Sequence, residues 1–111
     1  MAGLPGACVP TLSSMGQRLL QRRLSQTSAR IKEIRSELRV VEDQLSHFAD
    51  EAAELSLRAL VSETPGAEFE YRDAKRHADV MEKRRDGLRA ELAEAEARIN
   101  DLLDKMKEPS T

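Results

Sequence analysis

Tryptophan is absent, and the aromatic side chains amount to one Tyr and two Phe in 111 residues. A globular domain fills a central core with large rings, so a chain this poor in them and 34% charged reads as long helices instead. The single cysteine, Cys8, excludes an internal disulfide and a cysteine-based metal cluster. Leu4-Pro5-Gly6-Ala7-Cys8 has the outline of a lipoprotein processing site, but no apolar stretch precedes it, which predicts a chain that is not secreted. No run approaches the roughly 18 consecutive apolar residues that cross a bilayer, so the expected location is cytoplasmic.

Acids are missing from the whole first part of the chain. Arg18, Arg22, Arg23, Arg30 and Lys32 all precede Glu33, the first carboxylate, while the net charge of the chain is -2. The remainder is therefore acidic. Three readings of the basic arm stay open: a solvated helix end, an arm for nucleic acid or an anionic membrane, and a targeting segment that would place the protein in a mitochondrion or other organelle.

Gly3, Pro5, Gly6 and Pro10 make residues 1–13 a disordered tail, and Ser14-x-x-Gln17 is a capping box that starts a helix. From Leu20 the inward positions fall at 20, 24, 27, 31, 34, 38, 41, 45, 48, 52, 55 and 59, in steps of four and three. After Thr64-Pro65-Gly66 the pattern resumes at Tyr71, Ala74, Ala78, Met81, Arg85, Leu88, Leu92, Ala95, Ile99, Leu102 and Met106, until Pro109 stops it. Both series are heptad seams. The fold expected is all-α, an antiparallel two-helix coiled-coil hairpin over 14–108, with helix 1 about 14–63, the tip at 62–68 and helix 2 about 65–107. Thr64 serves as N-cap and Pro65 as first helical residue.

Pairing Leu55 with Ala78, Ala52 with Met81, Phe48 with Arg85, Leu45 with Leu88, Val41 with Leu92, Leu38 with Ala95, Ile34 with Ile99 and Ile31 with Leu102 puts the centre of the hairpin between Gly66 and Ala67. On the flanks Glu37 then meets Arg98, Glu51 meets Arg84, Glu42 meets Arg89 and Arg35 meets Glu96, with Arg30 near Lys105 a mismatch. A parallel, in-register homodimer would set Arg30 against Arg35, Glu37 against Glu42, Arg84 against Arg89 and Glu91 against Glu96, all repulsive. The charges thus select the antiparallel partner.

Within the seam, Arg85 takes a core position opposite Phe48, either as a polar layer that fixes register or as a partner contact. Gly87 on the outer face costs about 1 kcal/mol of helix propensity and marks a bend or close contact. Leu57, Leu60 and Val61 lie off the seam, and with Phe69 across the turn they form an apolar cluster that either folds over the tip or binds a partner.

Catalytic residues, metal ligands and cofactors are not expected. His47 and His77 are isolated on outer positions, no phosphate-binding glycine loop is present, and two helices enclose no concave pocket. No aromatic residue stands among the basic ones, so nucleic-acid contact would be limited to phosphates. Gly66-Ala67-Glu68-Phe69 resembles the N-A-E-Y end of the D-L-S-E-N-A-E-Y tip of Gre-type transcript-cleavage factors, whose N-terminal coiled coil enters the secondary channel of RNA polymerase. The family's two metal-binding acids fall here on Ser62 and Pro65, so the resemblance implies a channel binder that does not cleave. The function expected is a noncatalytic interaction module, an adaptor or structural subunit that binds a protein or its own copies through Leu57, Leu60, Val61, Glu68 and Phe69. The alternatives are a regulator of nucleic-acid machinery working through the tip, or association with a membrane surface through Leu19, Leu20 and Leu24 beside the arm arginines.

Overall fold

The structure, a computed structural model, describes residues 3–107, with side chains from Gly16 onward. The chain is all-helical: α1 spans Gly3–Ser62 and α2 spans Pro65–Lys107, two antiparallel helices joined at Glu63 and Thr64. α1 starts ahead of the capping box, so Ser14 lies inside the helix. Pro5 is compatible with that start because it falls in the first turn, where a missing N–H forfeits no intrahelical bond.

The turn is built from two caps back to back. Glu63 has a φ of 50°, and its N–H donates to the Ala59 carbonyl at 3.2 Å, a left-handed closure that ends α1. The Thr64 hydroxyl then accepts from the Ala67 N–H at 3.2 Å, and the Thr64 carbonyl accepts the first bond of α2 from Glu68 at 3.2 Å. Pro65 sits at the first helical position, as the sequence implies. The left-handed residue is the surprise, since glycine is the usual occupant and a side chain there costs on the order of 1 kcal/mol.

Two compact units make up the chain, Ile34–Glu91, which holds the turn, and Met1–Glu33 with Leu92–Thr111. In the turn unit Ile34, Val41, Ala52, Leu55, Ala74 and Leu88 are buried, and Leu38, Leu45, Phe48, Ala59, Tyr71, Ala78, Met81 and Arg85 are half-buried. In the terminal unit Thr27, Ile31, Ala95 and Leu102 are buried, and Leu20, Leu24, Leu92, Ile99 and Met106 are half-buried. The inward positions are those that the heptad spacing marks. Thr27, the buried polar residue among them, is satisfied within its own helix by donating to the Arg23 carbonyl at 2.8 Å.

The register differs from the expected one by a full heptad. Ala52, Leu55 and Ala74 form one buried cluster with Tyr71 packed against it, so Leu55 lies beside Ala74 and Tyr71 and not opposite Ala78. Phe48 stacks on His77 at 5.5 Å between ring centres, away from its expected partner Arg85. Glu37 pairs with Arg84 at 3.1 Å instead of Arg98, which also removes Arg84 from Glu51, while the expected Glu42–Arg89 pair forms at 3.5 Å. The centre of the hairpin is at Glu63 and Thr64, not between Gly66 and Ala67. A slide of seven residues leaves every inward position facing another inward position, so apolar spacing cannot distinguish the two pairings. The length of the turn distinguishes them, and here it is two residues.

Arg85 accordingly does not face Phe48. Its side chain is 24% exposed and its guanidinium reaches out to Asp86 at 3.1 Å and Glu82 at 3.8 Å, so the stem packs and the charge leaves the seam. A Cβ at Gly87 would meet nothing within 4 Å, and α2 runs unbroken through it.

Replacing Glu63 by Gly is expected to raise the unfolding free energy by about 1 kcal/mol, and Thr64→Ala to lower it by about 1 kcal/mol, both read from urea transitions at a single protein concentration. In a Cys8→Ser background, Cys at positions 52 and 74 is expected to close an intramolecular disulfide, whereas Cys at 52 and 81 is not, because seven residues of α2 displace the thiol by roughly 10 Å. Rapid closure of the second pair in place of the first would restore the other register.

Candidate functional site

The last turns of α1 carry an outward apolar stripe. Ala52, Leu55 and Ala59 take the inward positions there, so Leu57, Leu60 and Val61, spaced as neighbours on one helical face, turn to solvent. They are 66%, 72% and 86% exposed, and do not fold over the tip to cap it. The stripe persists to the very end of the helix because α1 stays helical through Ser62, whose hydroxyl donates to the Arg58 carbonyl at 2.6 Å.

The structure does not gather Phe69 into this stripe. Tyr71 and Ala74 are the inward residues of α2 at this level, which leaves Phe69, 69% exposed, on the face of α2 turned away from α1. The expected four-residue cluster is therefore two separate apolar surfaces. Glu68 lies in the first turn of α2, where a carboxylate complements the helix dipole, and pairs with Arg72 at 3.0 Å.

Beside Leu60 lies an open hollow of about 520 Å³, lined by Ala59, Leu60, Pro65 and Tyr71 together with the polar Ser56, Glu63, Thr64 and Glu68. Glu63 has no ion-pair partner among the described residues. A lining that mixes apolar groups with two carboxylates suits a side chain with an apolar stem and a cationic end.

In the basic arm Arg18, Arg22, Arg23 and Lys32 are exposed without ion pairs among the described residues, and Arg30 pairs with Glu33 at 3.1 Å. The interfacial-helix reading loses two of its three leucines here, since Leu20 and Leu24 turn into the seam and Leu19 alone is exposed. Among the described residues no helix is long and apolar enough to cross a membrane, and no group of three or more His, Cys, Asp or Glu is able to hold a metal ion.

One grouping escaped the sequence reading. His47 and His77 are not isolated: His77 stacks on Phe48 at an interplanar angle of 20°, and His47 meets the same ring edge-on at 5.9 Å. His77 also lies 3.6 Å from Asp73. The signal was present in the sequence only through the register, because His77 reaches Phe48 in one heptad alignment and not in the other.

Because the stripe is exposed, Leu57→Ser and Val61→Ser are each expected to change stability by less than about 0.5 kcal/mol, whereas Leu88→Ala on the seam costs about 2 to 3 kcal/mol. The contrast is checked by thermal and urea unfolding of the variants. No protein-family model, curated protein or solved structure matches the chain, so the likeness to Gre-type hairpins rests on the tip residues alone.

Proposed function

We propose that the hairpin is a noncatalytic protein-binding module, an adaptor or structural subunit whose contact surface is the end of α1 and the hollow beside it. The observation that carries this is the exposure of Leu57, Leu60 and Val61 on a chain where 34% of residues are charged. Contiguous apolar side chains held in solvent on a small protein mark contact surfaces, and these stand on a helix end fixed by a two-sided cap. The partner that fits is a protein segment offering an apolar anchor to the stripe and a Lys or Arg to Glu63 and Glu68 across the hollow. Burial of apolar groups supplies most of its affinity, and the two carboxylates orient it.

The tip reading and an arm-driven reading separate by salt. Capture of partners on the tagged full-length protein from its own cells is expected to persist as salt rises and to be lost with Leu57→Ser, Leu60→Ser and Val61→Ser combined. Partners that leave with salt and ignore the triple substitution would overturn the tip reading and assign binding to Arg18, Arg22 and Arg23.

A further inference from the structure

We infer that the segment received by the tip is the basic arm of a second copy of this chain, with Arg18, Leu19 and Arg22 laid on Leu57, Leu60 and Glu63. The inference rests on the tip reading and names its partner.

The chain itself contains the kind of segment that suits the tip. Leu19 is a large apolar side chain 49% exposed, and it stands beside Arg18 and Arg22, which are exposed one helical turn apart. A second open hollow, of about 460 Å³, is lined by Gly16, Arg18, Leu19 and Arg22. The arm thus offers an apolar group edged by guanidiniums, and the tip offers apolar groups edged by carboxylates. The two are complementary in kind and opposite in sign.

Charge left unanswered within the chain points to a copy as the occupant. No acid precedes Glu33, and Arg18, Arg22 and Arg23 form no ion pair among the described residues. From Glu42 to Asp73 nine carboxylates stand against two arginines, Arg58 and Arg72. Those two are already held, by Glu54 at 3.5 Å and by Glu68 at 3.0 Å, which leaves Glu63 and Glu70 without ion pairs among the described residues. Each copy therefore brings one unmet surface of each sign. The arm and the stripe both belong to α1, and a helix cannot lay its own early turns on its last ones, so the contact is between chains. In a twofold pair the arm of each chain lies on the tip of the other, and every attraction is made twice. Tip on tip or arm on arm would oppose like charges.

Sedimentation equilibrium of the full chain, from micromolar to near-millimolar concentration, is expected to show a dimer that weakens without vanishing as salt rises. One variant carries Glu63→Lys with Glu68→Lys, and a second carries Arg18→Glu with Arg22→Glu. Each is expected to weaken dimerisation by about tenfold or more, because each sets like charges across the contact. All four positions are exposed, so the helices are retained, which circular dichroism verifies. The decisive arm mixes the two variants: Lys tips then meet Glu arms while unchanged arms meet unchanged tips, and a mixed dimer is expected to form. A wild-type chain that stays monomeric, a dimer that tolerates either variant, or a mixture that fails to associate would each overturn the assignment. Capture with the Leu57→Ser, Leu60→Ser and Val61→Ser chain separates that failure from failure of the tip reading. Other partners still lost with the triple substitution would overturn the self-contact alone when any of those three results is found, and partners indifferent to it would overturn both.

Discussion

Every pairing between the helices of the turn unit depends on a turn of two residues. Heptad spacing specifies which side of each helix is buried, but it is unchanged by a slide of one repeat. The alignment therefore has to come from where α1 stops and α2 starts. The Glu63 N–H to Ala59 carbonyl bond defines the stop, and the Thr64 hydroxyl to Ala67 N–H bond defines the start. Both are local, and both act within one turn of helix. Their consequences reach much farther along the turn unit, because two stiff helices propagate an offset at their junction to each later layer. The left-handed Glu63 is the conformational cost of keeping the junction that short.

The alignment so fixed gives an uneven core. Ala52 and Ala74 share the layer near the turn, where small side chains let the backbones approach and bury little apolar area. Farther along, Ile34, Val41 and Leu88 are almost fully buried. Between these lies a stretch in which rings and a long cation do the packing, Phe48 under His77 and Arg85 with its charge drawn out to Asp86 and Glu82. Interhelical ion pairs lie on both flanks, but at an exposure of about half for most of their side chains they align the helices more than they hold them. A seam of this kind stabilises weakly for its length, because two helices alone bury little apolar area.

How much of this was legible in the sequence divides along the same line. The helical class, the inward positions, the start of α2 and the roles of Thr64 and Pro65 follow from spacing and local capping chemistry, which act over a few residues. The register does not follow, because the two alternatives score alike on hydrophobicity and nearly alike on charge: Glu42 meets Arg89 in both. The histidine and phenylalanine grouping was missed for the same reason, as was the separation of Phe69 from Leu57, which becomes plain only when Tyr71 is seen packed against Leu55 and Ala74.

The geometry of the turn also bears on the proposed tip surface. A surface loop that must order itself on binding loses conformational entropy, on the order of 1 kcal/mol or more per residue. Here the apolar side chains stand on helix, the connection is two residues long, and the N–H groups of Glu63, Ala67 and Glu68 are already satisfied within the chain. Little is left to order. The Glu63 carboxylate, carried on a residue whose backbone is fixed by its cap, projects from the edge of the hollow beside Glu68, whereas glycine at that position would relieve the backbone and remove the charge. Glu63 thus carries its carboxylate at the edge of the hollow at a conformational cost that glycine would avoid.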